Sequence, residues 1–289
     1  MTTSSTAHPF GRLGAWVSRG LPDDVLARLG AELEQLGYGA IWISGGIETG
    51  VFDKVEKVLA GSERITVATG IVNIWLETPE TVTDAWHRLE AQYPGRLYVG
   101  LGVSHAPAID ALTDHTYAKP LARTRWFLDE LDAADDPLPP ERRVLAALGP
   151  KNLALAAERS LGTHPYLVTP TNTAAARAGV GTALCAPELG VVLDDDVDRG
   201  RAVARKAIAM YFGLPNYTNN WKRSGFTDDD LADGGSDTLI DALVGIGDVD
   251  AIARRVAEHR DAGADHVCLQ VLGDDTDLSA TFAALATLA

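Results

Sequence analysis

Apolar positions along the chain follow two alternating rhythms. Short continuous apolar runs are separated by segments in which apolar residues recur every three or four positions. After the first run, Val25, Leu26, Leu29, Leu33 and Leu36 fall on one helix face, and Gly37 and Gly39 end that helix. The alternation predicts strands over 12–18, 40–44, 65–72, 97–103, 144–148, 165–169, 189–193 and 266–272. Helices are predicted over 23–36, 51–60, 78–92, 121–133, 152–161, 174–178, 198–211, 249–262 and 278–288. Eight short buried strands separated by helices predict an α/β chain closed into a (β/α)8 TIM barrel. An open doubly wound sheet would carry a glycine-rich phosphate loop after its first strand. The residues there are Trp16-Val17-Ser18-Arg19-Gly20, without that pattern. Residues 10–289 read as one barrel domain behind a disordered tail, 1–9. The stretch 212–247 breaks the rhythm and reads as an irregular insertion before the last βα unit. Such an insertion is either an active-site cover or a surface excursion or oligomer contact.

Charge narrows the partners. With 25 Lys and Arg against 40 Asp and Glu, the formal net charge is −15. That surface repels nucleic acid and anionic membranes and keeps a protein soluble. A small molecule is the expected partner, and an anionic cofactor must be held by local dipoles or a few local cations. No apolar run approaches the ~20 residues that cross a bilayer. The two cysteines, Cys185 and Cys268, are far apart in apolar surroundings and read as free buried thiols of a cytoplasmic protein.

In a barrel, chemistry collects where strands end. Strand one ends near Trp16, which either walls a flat ring or packs. Strand two ends Ser44-Gly45-Gly46, where glycines permit close backbone approach or make a turn. Strand three ends Gly70-Ile71-Val72-Asn73, suggesting a bulge that pushes backbone into the mouth. Strand four leads to Ser104-His105, and His105 is the histidine best placed for acid–base work. No H-E-x-x-H motif or Cys/His cluster is present, so no metal site is expected. Gly149-Pro150-Lys151 and Thr171-Asn172-Thr173 each open a helix, and two neighbouring helix starts can hold a phosphate. Each alone would be ordinary capping.

The segments LEQLGYGAIWI, ITVATGIVNIW, PGRLYVGLGVSH, RVLAALGPKNLALAAERSLGTHPYLVTPTNT and IARRVAEHRDAGADHVCLQVL, in that order, resemble the luciferase-like monooxygenase superfamily. Within it they are closest in pattern to the coenzyme F420-dependent oxidoreductases of actinobacteria. The resemblance implies a bacterial-luciferase-like barrel with an insertion and a non-proline cis peptide at Gly70–Ile71. It also implies a homodimer, with the cofactor phosphate on the loops after strands five and six. The implied cofactor-binding residues are Trp16, Ser44, Gly70, Ile71, Val72, Ser104, Gly149, Pro150, Lys151, Thr171, Asn172 and Thr173. Relatives place a polar pair such as Asp-His after strand two, where this chain has Ser44-Gly45-Gly46. His105 and Asn73 are therefore taken as catalytic candidates from position alone. The implied activity is hydride transfer between F420 and a small organic substrate, with Trp16, Trp42 and Trp75 walling the site. The alternatives are an FMN-dependent monooxygenase of the same superfamily and a barrel that has lost its cofactor and only binds.

Overall fold

The computed structural model describes residues 8–113, 116–273 and 276–289. Among the described residues, eleven strands form one curled sheet in which every pairing is parallel. They are β1 (Leu13–Val17), β2 (Ala40–Ile43), β3 (Thr66–Thr69), β4 (Val72–Asn73), β5 (Leu97–Gly102), β6 (Arg143–Leu145), β7 (Gly162–Thr163), β8 (Leu184–Cys185), β9 (Glu188–Leu193), β10 (Val244–Gly247) and β11 (Val267–Val271). The order is β10-β9-β11-β1-β2-β3-β5-β6-β7-β8, with β4 on β5. β8 and β9 are consecutive halves of one stretch. The first half pairs with β7, and Ala186 and Glu188 donate to the carbonyls of Thr163 and Pro165. The second half pairs with β11. Both ends of the strand order therefore meet on residues 184–193.

Side chains alternate across each strand, so one face points inward and the other towards the helices. Leu13, Ala15, Val17, Ile41, Ile43, Val67, Val99, Leu189 and Leu269 belong to the large cluster under the helices. Ala40, Trp42, Ala68, Tyr98, Val144, Leu184, Ala186 and Cys268 pack together inside, with Phe10 below and Trp16 above. Both faces are buried, which is why the strands read as continuous apolar runs. Trp42 stacks on His164 at 4.0 Å and donates to His266 Nε2. His266 Nδ1 in turn donates to the Gly11 carbonyl, which fixes its tautomer.

Four expectations need correction, and one helix was missed. The third strand does not run unbroken over 65–72: β3 stops at Thr69, Gly70–Ile71 is the cis peptide that the family resemblance implied, and β4 resumes against β5. The sixth strand sits at Gly162–Thr163, and 165–169 is irregular because Leu167 takes a left-handed backbone, φ 54. The helix expected at 174–178 runs Pro170–Val180, because Thr169 and Asn172 form a capping box that starts it earlier. A helix at Ala106–Leu112 was not foreseen. The stretch 212–247 is not irregular. It contains helices Pro215–Arg223, Asp228–Leu231 and Asp237–Leu243 and then β10, paired with β9. Leu214, Tyr217 and Trp221 lie at helical spacing there, as do Leu239, Ile240 and Leu243, and all six are buried in a second core.

Of the tail, residues 1–7 lie outside the described residues, as does His115. Pro9 is held: its carbonyl accepts from Thr66. Among the described residues no helix is long and apolar enough to cross a membrane, and no group of His, Cys, Asp or Glu could hold a metal. Cys185 and Cys268 are free and buried.

Candidate active site

Because every pairing is parallel, the C-terminal ends of the strands share one rim of the curled sheet, its mouth. At its centre the chain turns through Gly70 and Ile71. A Cβ on Gly45 would lie 1.6 Å from the Ile71 carbonyl oxygen, so only glycine lets the loop after β2 meet that peptide. A Cβ on Gly70 would lie 2.7 Å from Trp16 Nε1, so the indole rests directly on the turn. Gln270 on β11 is in register with Trp16. Val72 is fully buried in the outward cluster, so only its backbone can serve the mouth.

Aromatic side chains wall the opposite side. The Tyr166 ring is 5.6 Å from Trp16 and 5.6 Å from Tyr211, and Tyr211 donates to the Tyr166 hydroxyl at 3.4 Å. Tyr211 and Tyr217 come from the 212–247 region and its approach, and their rings stand 4.8 Å apart, edge to face. His105 lies against both, 5.5 Å from Tyr217 and 6.2 Å from Tyr211. The turn that aims it uses Ser104 at φ 54, and His105 itself opens the Ala106–Leu112 helix. Burial lowers the His105 pKa, so its ring is neutral and able to accept a proton.

Of the three expected tryptophan walls, only Trp16 fits. Trp42 is 0% exposed, sealed in the layer beneath. Trp75 packs against Tyr117 with the Arg123 guanidinium above it. Ser44 accepts from the Arg19 amide and so anchors the loop after β1. Asn73 spends its Oδ1 on the Trp75 amide, which leaves only Nδ2 as a donor. Among buried polar atoms, Trp16 Nε1, Asn73 Nδ2, His105 Nδ1 and Gln270 Oε1 find no partner among the described residues. Such atoms are costly unless something else satisfies them.

Two helix starts lie side by side next to this mouth, Pro150–Arg159 behind Gly149 and Pro170–Val180 behind Thr169. A Cβ on Gly149 would meet nothing within 4 Å, so the first start opens on free space. Thr171 is exposed. Asn172 and Thr173 are not free: Asn172 Oδ1 accepts from the capping Thr169, its Nδ2 donates to the Asn220 carbonyl, and the Thr173 hydroxyl bonds His259 Nδ1. Lys151 is exposed and lines a groove with Leu121, Ala122, Arg125 and Ala154. Arg223, unforeseen, reaches from the Pro215–Arg223 helix to Asn220 Oδ1 at 2.9 Å and towards the Leu148 carbonyl at 3.4 Å. Lys222 pairs with Asp228, and Arg123 donates to the Ile74 carbonyl.

Glu188 was also missed. It is 1% exposed, faces inward two residues beyond Ala186, and is met by no ion pair among the described residues. Its Oε2 accepts from the Leu167 amide at 2.9 Å. Burial pushes its pKa up to about 8, so it holds its proton at neutral pH. The period of two from Ala186 could have found it. Nothing in the sequence pointed to Tyr211 or Tyr217.

Residues 10–134 match the model of the family described as luciferase-like monooxygenase. Over these residues the chain is similar to that family. A Mycobacterium tuberculosis protein assigned, by name only, to the coenzyme F420-dependent oxidoreductases is 23% identical, covering 87% of this chain and 91% of its own. Among solved structures, an F420-dependent secondary alcohol dehydrogenase in complex with an F420–acetone adduct superposes with a TM-score of 0.72 at 15% identity, covering 96% and 97% of the two chains. The coenzyme F420-dependent tetrahydromethanopterin reductase of Methanopyrus kandleri gives 0.70 at 15% identity, covering 96% and 97%. The oxygenating constituent of the 3,6-diketocamphane monooxygenase of Pseudomonas putida, in complex with FMN, gives 0.67 at 14% identity, covering 95% and 96%. These likenesses show that the luciferase-like region is part of a fold shared along almost the whole chain.

Proposed function

We propose that this chain is an oxidoreductase that moves a hydride between coenzyme F420 and a small organic substrate. The observation that carries the reading is the Gly70–Ile71 turn at the mouth, with Trp16 resting on it and Gly45 making room for its carbonyl. The curled sheet is read as an eight-unit barrel, with 184–193 as its seventh strand and 212–247 as the insertion. The residues fit a flat, anionic cofactor. Unpartnered donors surround the turn, and Gly149 opens a space beside two helix starts whose amides favour an anion.

When bound, F420 supplies the hydride-accepting or hydride-donating carbon. The chain supplies the rest. Gly70, Ile71 and Trp16 would support the ring, and the Asn73 Nδ2 would donate to its edge. The first-turn amides of Lys151 and Thr171 would hold the phosphate, with Arg223 beside them. His105, neutral and facing the mouth, would take or return the substrate proton at Nδ1. The tyrosines exclude water from the reacting centre.

F420 is preferred to FMN because its tail is acidic. The groove lined by Lys151 and Arg125 starts at the phosphate loop and offers that tail two cations in an otherwise acidic protein. A homodimer and a cytoplasmic location complete the reading, and sedimentation tests the first. A barrel without a cofactor leaves the unpartnered donors unexplained. The functional test is turnover of small secondary alcohols and ketones with F420, followed by loss of F420 absorbance or its recovery. Activity with FMN and oxygen alone would replace this reading with the monooxygenase one.

A further inference from the structure

We propose that Tyr166 donates a hydrogen bond to the substrate oxygen, and that Glu188 is the positioning residue that holds it there through the Leu167 peptide. This rests on the oxidoreductase reading of the mouth and gives its substrate a stated partner. The polar pair expected after β2 is replaced by Ser44 and two glycines, and Ser44 is committed to Arg19. The polar groups of this mouth come instead from the other side of the sheet.

The geometry runs in one line. Glu188 points inside from β9, and its Oε2 receives the Leu167 amide at 2.9 Å. Its Oε1 turns towards the mouth, 3.6 Å from where a Gly190 Cβ would stand. Leu167 is buried with φ 54, a conformation that a leucine keeps only when its peptide is held on both sides. The second hold is its carbonyl, which accepts from Trp221 Nε1 at 3.0 Å. The turn places Tyr166 against Trp16, the residue that rests on Gly70. The Tyr166 and Tyr211 hydroxyls lie 3.4 Å apart, and either can rotate to donate; with substrate present, Tyr211 donates to Tyr166 and the Tyr166 proton turns into the mouth.

The surroundings keep both groups neutral. Burial raises the Tyr166 pKa well above the ordinary phenol value, with Tyr211 and Glu188 adding to the rise. The titratable groups facing Glu188 are Tyr166 from the loop after β7, Cys268 from β11, and Tyr211 and Tyr217 above. None is cationic, so the carboxyl keeps its proton at neutral pH. Above about pH 8 Glu188 ionises and brings a buried negative charge under the Leu167 turn and near the Tyr166 phenol, which disturbs the neutral arrangement that positions Tyr166.

Three variants test this on the full chain. Tyr166→Phe is expected to lower kcat with small secondary alcohols or ketones on the order of a hundredfold, with KM and F420 affinity little changed. Glu188→Gln keeps an acceptor for Leu167 and cannot ionise, so it is expected to keep the neutral-pH kcat and lose the alkaline fall. Glu188→Leu is expected to lose kcat as Tyr166→Phe does. Two readouts need no turnover. The Trp221 indole N–H resonance moves in Glu188→Leu and stays in Glu188→Gln. A protonated-carboxyl infrared band, present in the wild type at pH 6 and lost through about pH 8, is missing from Glu188→Gln. Wild-type kcat in Tyr166→Phe, an unmoved Trp221 signal in Glu188→Leu, or an unchanged carboxyl band in Glu188→Gln each overturns the proposal. If Glu188→Leu does not fold, the band and the alkaline limb of Glu188→Gln decide. F420 binding by the wild type is scored separately: its failure overturns the cofactor reading and leaves the indole and carboxyl signals to judge Glu188.

Discussion

At the scale of single residues, the mouth depends on absences of side chain as much as on presences. Gly45→Ala would drive a methyl into the Ile71 carbonyl, so the loop after β2 or the turn itself must move. The expected cost is about 1–3 kcal/mol, read as a lowered denaturation midpoint, with F420 binding weakened at least as much. His105→Gln removes the proposed proton acceptor while keeping a polar group of similar size. Its kcat should fall by about 10²–10⁴ with cofactor affinity unchanged. Equal losses in binding and turnover would mean that His105 shapes the site instead.

At the scale of elements, the two helix starts have different freedom. Thr169 and Asn172 bond each other, and Asn172 also ties down the Pro215–Arg223 helix, so changing them disturbs folding. Gly149 has ordinary φ, −97°, and open space beside it. Gly149→Ala should therefore fold with wild-type stability and bind the phosphorylated cofactor more weakly, in titrations alongside the wild type. Undiminished affinity would place the phosphate elsewhere. Element type was legible wherever burial was two-sided: β1, β2, β5 and β11 read directly as apolar runs. The third strand carried a run too, but the turn at Gly70–Ile71 breaks it, and only the family resemblance supplied that detail. The 212–247 helices were hidden because their apolar faces are short and separated by polar, glycine-bearing stretches. Leu214, Tyr217 and Trp221 carry the helical period, yet three residues do not stand out among so many polar ones. Strand parity places Glu188 inside the sheet, but its bond to Leu167 depends on a left-handed leucine that no local pattern announces.

At the scale of the whole molecule, buried titratable groups set the pH range of stability. His164 and His266 are fully buried with pKa lowered to about 4, and His259 to about 3. In the unfolded chain each takes a proton near pH ~6.5. Their contribution is complete above that value and is lost as pH falls through the folded values. Glu188 acts in the opposite sense. Its folded pKa, about 8, lies above the unfolded value, so its contribution is complete below the ordinary carboxylate range and is lost as pH rises towards 8. Thermal midpoints measured across pH should fall on both sides, and Glu188→Gln should flatten only the alkaline side. An unchanged alkaline slope in that variant would show that Glu188 ionises normally.

The same sheet gathers a turned peptide, a helix start that opens on free space and a groove lined by Lys151 and Arg125, and the proposed cofactor would account for all three. Fluorescence quenching of the purified protein, titrated in parallel with F420 and with FMN, tests that most directly. Saturable binding of F420, weakened by Gly149→Ala, is the predicted result; binding of FMN alone, or of neither, would contradict it.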